Sequence, residues 1–84
     1  GYLGQPQILL GKAILHAKKI DFGSYARSYD HTNIDIVHNI GLPTKYSLYS
    51  PQEAVADIVT ADLLSPNYNP PPEIQKILDA FYKM

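Results

Sequence analysis

The sequence contains neither cysteine nor tryptophan. Without thiols there is no disulfide framework, no thiolate zinc centre and no thiol nucleophile. A chain of 84 residues must then hold together on apolar packing alone, or with help from a partner. The same absence fits a reducing compartment, which makes the cytoplasm the expected location. No apolar run approaches the roughly 20 residues that cross a bilayer, and the opening stretch has no basic segment followed by an apolar one. No membrane association is expected. An excess of positive charge is also lacking: the formal net charge is -1. That argues against the broad basic field on which nucleic-acid affinity depends, so no nucleic-acid partner is expected. The five glycines are too scattered for a nucleotide-binding loop, and neither GK[ST] nor HExxH occurs. No cofactor is expected.

What is present is an ordinary globular balance, with 45% hydrophobic and 18% charged residues. Length allows a single domain over residues 1–84, and at this size folding buries only roughly 60 to 65% of the surface exposed by the unfolded chain. The core is therefore expected to be thin. Charge divides unevenly along the chain, with most of the bases (Lys12, Lys18, Lys19, Arg27, Lys45) before residue 46 and most of the acids (Glu53, Asp57, Asp62, Glu73, Asp79) after it.

Residues 6–20, PQILLGKAILHAKKI, read as a helix. Pro6 suits the first turn, where its missing N–H is not needed, and Lys18 and Lys19 complement the negative C-terminal end. At 100° per residue Leu9, Leu10, Ala13, Ile14, Ala17 and Ile20 form a core face. Ile8 and Leu15 fall one heptad apart on the opposite side, beside Lys12 and Lys19, where an apolar residue gains nothing unless something covers it. Gly11 weakens such a helix by about 1 kcal/mol relative to Ala, a cost that close approach of another backbone would justify. Residues 21–32 read as a connection.

Residues 33–40, NIDIVHNI, carry two signals. Alternating isoleucines suit a strand, which would form a hairpin over 33–49 and give an α+β fold. Against this, Gly41, Leu42 and Pro43 make a helix stop: a left-handed cap, an apolar residue folding back, and a residue that cannot continue the helix. The helix is the preferred reading, with Ile36, Val37 and Ile40 sharing a face.

Ser50, Pro51 and Glu53 supply an N-cap, a first-turn proline and a capping-box acid, so a helix is expected over 51–64. Its apolar arc takes Ala54, Val55, Ile58, Val59, Ala61 and Leu63, and its polar face Glu53, Asp57 and Thr60. Asp62 falls inside the apolar arc, where it must bend outward or meet a lysine, a backbone N–H or a tyrosine hydroxyl. A proline-rich loop over 65–72 follows. It leads into a helix over 73–83 whose Ile74, Ile77, Leu78 and Phe81 keep the i, i+3, i+4, i+7 spacing of one buried stripe. That stripe favours the Pro70–Pro72 run as a joint aiming the helix back at its own core, rather than as a ligand for an aromatic groove. The expected architecture is a mostly α domain of three longer helices and one short one.

Two function classes remain. Asp30, His31, Asp35 and His38 gather side chains that bind divalent ions or move protons, which would suit a small-ligand or metal-dependent enzyme component; their spacing matches no metal motif. The preferred reading is a protein-interaction module or small accessory subunit, not an enzyme. It would engage a protein partner or self-associate through Ile8, Lys12, Leu15 and Lys19, together with Tyr46 and Tyr49. Seven tyrosines supply rings suited to such contacts.

Overall fold

The computed structural model describes residues 4–18, 22 and 34–83. Among these the chain forms four α-helices, α1 Gly4–Lys18, α2 Ile34–Asn39, α3 Pro51–Leu64 and α4 Pro72–Tyr82, with a single 3-10 turn at Lys45–Leu48 between α2 and α3. The fold is mostly α, as the periodicity predicts. No strand occurs among the described residues, and the hairpin over 33–49 is replaced by α2 and the 3-10 turn.

The reason lies in the stop signal after α2. Gly41 adopts φ +86°, its N–H donates to the His38 carbonyl at 3.0 Å, and the Leu42 N–H donates to the Val37 carbonyl at 3.1 Å. This pair of bonds is a Schellman cap, and it satisfies carbonyls that a strand would have turned to a neighbour. Leu42 then folds back into the core beside Val37 and Ile40. Ile36 departs from expectation: it stays exposed, because so short a helix turns only one edge inward.

α3 begins at Ser50, in extended conformation, whose hydroxyl accepts the Glu53 N–H at 3.1 Å. Pro51 occupies the first turn. α4 begins with Pro72 as its first residue, after Pro71 at φ -67° and ψ 166°, close to polyproline II geometry. The core is built where α1 packs against α4 and α3 and where the 3-10 turn packs against α3. Leu10 and Ile14 of α1, Ala54, Val55 and Ile58 of α3, and Ile74, Ile77 and Leu78 of α4 are buried in it together with Leu48. Leu9, Ala13, Phe22, Val59, Tyr68 and Phe81 close its margin.

Two further positions of the expected core are exposed, and a third lies outside the described residues. Ala17 is exposed, on the wall of an open groove between α1, α2 and the start of α4, and Ile20 lies outside the described residues. Leu63 is 68% exposed rather than part of α3's apolar arc, because at 100° per residue it falls about 140° from buried Ile58, on the side of Glu53, Ala56 and Thr60; Leu64 beside it is 76% exposed. The inward arc consists of Ala54, Val55, Ile58 and, in the last turn, Ala61.

Gly11 also differs from its expected role. A Cβ built there meets nothing within 4 Å, so no close approach requires glycine. Gly11→Ala is therefore expected to stabilise the domain by about 0.5 to 1 kcal/mol, through helix propensity and a less flexible unfolded chain. A urea denaturation midpoint that fails to rise would show that the position carries a cost not visible in the packing.

Candidate functional site

The side of α1 away from the core carries Gln5, Ile8, Lys12 and Leu15, all exposed. Ile8 and Leu15 are seven residues apart and so sit two turns apart along one stripe, at 60% and 54% exposure. Buried Leu10 and Ile14 lie on the other side of the same helix. Three of the sequence-predicted site residues, Ile8, Lys12 and Leu15, thus share a face. Lys19 lies outside the described residues.

Tyr46 and Tyr49 are exposed and belong to a different part of the molecule, the 3-10 turn and its cap, which pack against α3 and α2. That turn is held by a carboxylate that periodicity assigns to solvent. Asp57 Oδ2 accepts from the Thr44 N–H at 3.2 Å, the Thr44 hydroxyl at 2.7 Å and the Ser47 hydroxyl at 2.6 Å. Thr44 in turn accepts the Tyr46 N–H at 3.1 Å, capping the turn. Nothing periodic marks Asp57 for this role; the only sequence signal is a threonine and a serine three residues apart, before the helix.

A second apolar surface, not legible in the sequence, lies at the ends of α3 and α4. Leu63, Leu64 and Tyr82 are exposed there, and the Tyr82 hydroxyl donates to Asp62 Oδ2 at 2.6 Å. Asp62 has met a tyrosine hydroxyl, one of the outcomes expected for an acid at that angle. The bond raises the Tyr82 pKa above its ordinary value, because ionisation would break it; burial and the Asp62 charge add in the same direction.

Two open grooves flank the α2 cap. One, about 560 Å³, is lined by His16, His38, Asn39, Asn69 and Glu73 among others. The other, about 610 Å³, is lined by His38, Thr44, Asp57, Thr60 and Tyr68 among others. Between them runs the contact of Gly41 with Pro71, and the Tyr68 hydroxyl donates to the Gly41 carbonyl at 2.7 Å. Burial, then the charges of Asp57 and Asp62, push the Tyr68 hydroxyl well above its usual pKa. Between the ordinary tyrosine pKa of about 10 and the raised one, the folded state holds the proton that the unfolded state has lost. Stability contributed by Tyr68 is therefore complete below about pH 10 and falls as pH rises further. Urea unfolding at about pH 9 and about pH 11 should show this loss, and Tyr68→Phe should reduce the difference, leaving the part that Tyr82 contributes; an unchanged difference in the variant would assign it to other groups.

Of the acid and histidine cluster, Asp35 and His38 sit one turn apart on α2, both exposed, and Asp30 and His31 lie outside the described residues. Among the described residues no three His, Asp or Glu side chains are grouped to hold a metal ion. No buried side-chain nitrogen or oxygen among them is left without a hydrogen-bond partner. No described helix is long and apolar enough to cross a membrane.

These features define a small helical domain whose distinguishing chemistry is on its surface. No protein-family model matches the chain, and neither a curated protein nor a solved structure does.

Proposed function

We propose that this chain is a protein-interaction module or small accessory subunit, and that the outer stripe of α1 is its binding surface. The observation that carries this reading is the exposure of Ile8 and Leu15, 60% and 54%, on the side of α1 facing away from Leu10 and Ile14. Singly exposed apolar residues are ordinary. Two of them at heptad spacing, with a lysine between and no acid anywhere on the helix, form a stripe that another helix can cover. Lys19, one heptad beyond Lys12 in sequence, continues the pattern, and Tyr46 and Tyr49 offer further amphipathic contact area.

Leu15→Asp tests the reading. Leu15 contributes little to the core, so the variant is expected to keep its circular dichroism spectrum and cooperative unfolding while losing association at least about tenfold. The assay is co-purification from the source extract, with the unmodified chain alongside. Equal recovery of every associated protein by both chains would remove α1 as the binding surface, and collapse of the fold would reassign Leu15 to the core.

A further inference from the structure

We infer that the α1 stripe is covered by a second copy of this chain, docked head to tail so that α1 of one copy lies antiparallel on the outer face of α3 of the next. This identifies the partner and rests on the reading of α1 as an interface. The first support is a matched pattern. On α1, Gln5, Ile8, Lys12 and Leu15 follow steps of three, four and three residues; on α3, Glu53, Ala56, Thr60 and Leu63 follow the same steps. All eight are exposed, and each stripe reads polar, apolar, polar, apolar. Steps of three and four are those of a helix-pairing seam, and both apolar pairs are separated by about 10.5 Å along their helices.

The second support is charge. α1 carries lysines and no acid, whereas the outer stripe of α3 carries Glu53 and no base, Asp57 and Asp62 being engaged by Thr44, Ser47 and Tyr82. Antiparallel alignment places Ile8 opposite Leu63 and Leu15 opposite the small Ala56, so that a large side chain faces a small one at one end of the seam. It also sets the positive end of each helix dipole beside the negative end of the other. The two copies use different patches, so the contact is heterologous: each addition leaves one free stripe of each kind. With two apolar residues on each side the contact is small, and association is expected at concentrations on the order of 100 µM.

Sedimentation velocity between about 10 µM and 1 mM is the test, because contacts of this size fall in that range. The unmodified chain is expected to gain average mass with concentration. Leu15→Asp and Leu63→Asp should each remain monomeric. Mixed in equal amounts, the two variants should form a 1:1 pair that grows no further, since the intact α3 of the first can receive the intact α1 of the second. Circular dichroism verifies the fold of each variant, and Leu15→Gln and Leu63→Gln replace any that unfold. Self-association without recovery in the mixture would overturn the pairing of α1 with α3. An unmodified chain that stays monomeric to 1 mM would overturn self-association itself, while leaving the α1 surface to be judged by the co-purification comparison.

Discussion

Gly41→Ala is expected to destabilise the domain by about 2 to 5 kcal/mol, combining about 1 to 2 kcal/mol for a side chain in left-handed conformation with about 1 to 3 kcal/mol for overpacking. The backbone at φ +86° is the first cause. The second is a rigid neighbour: a Cβ at Gly41 would stand 2.6 Å from Pro71 Cδ and closer still to Cγ. A proline ring cannot swing aside as a flexible chain end does. For a domain whose total stability is about 4 to 12 kcal/mol, this loss leaves little margin. Pro71→Ala in the same chain separates the two causes. It removes Cγ and Cδ but keeps Cβ, whose 3.6 Å separation is ordinary contact. The double variant should therefore recover about 1 to 3 kcal/mol over the value expected from adding the single effects. Additive losses would mean that backbone conformation alone accounts for the glycine.

This contact also explains the proline run. Tyr68 bonds the Gly41 carbonyl, Pro71 packs on the Gly41 backbone, and Pro72 opens α4, whose Ile74, Ile77 and Leu78 are buried. The loop acts as a joint between the cap of α2 and the start of α4. Its restricted prolines lower the entropy lost on ordering.

The helices were legible because each carries local punctuation as well as periodicity. Ser50 and Pro51 start α3, Gly41 to Pro43 stop α2, and Pro72 starts α4; each acts within a few residues of itself. Failures came where local pattern had to stand for global placement. A broad apolar arc drawn on a wheel takes in residues at its edge: Leu63, about 140° from Ile58, is exposed, and so is Ala17. On the short α2 a wheel cannot separate Ile36, outside, from Val37, inside. The stripe at Ile8 and Leu15 was readable because its apolar residues stand opposite a well-defined core face. The matching stripe on α3 is not, since the broad apolar arc of that helix takes in Leu63. Function is less legible still: a binding surface of this kind uses the same leucines, isoleucines and lysines as any helix exterior, whereas a catalytic centre requires rarer side chains at fixed spacing.

Asp57→Ala is expected to cost about 3 kcal/mol, although helical periodicity would class the position as a tolerant surface site. One carboxylate oxygen receives three donors, and their surroundings decide the magnitude. Thr44 is exposed, so water can replace much of what its N–H and hydroxyl lose. Ser47 has no exposed surface; without Asp57 its hydroxyl becomes a buried donor with no acceptor, at about 1 to 3 kcal/mol on top of the lost charge-assisted bond. The 3-10 turn would then lose its attachment to α3, and Leu48, buried in the core from that turn, would loosen with it. Removing the orphaned hydroxyl should recover part of the loss, so Asp57→Ala with Ser47→Ala is expected to be more stable than the sum of the single losses by about 1 to 3 kcal/mol. Asp57→Asn keeps an oxygen acceptor but no charge and should fall between the unmodified chain and Asp57→Ala. Urea unfolding of five proteins, the unmodified chain, Asp57→Ala, Ser47→Ala, the double variant and Asp57→Asn, measures these differences. If Asp57→Ala cost less than about 1 kcal/mol, the turn would be held by the packing of Leu48 rather than by the carboxylate, because a shielded charge-assisted bond cannot be lost for so little.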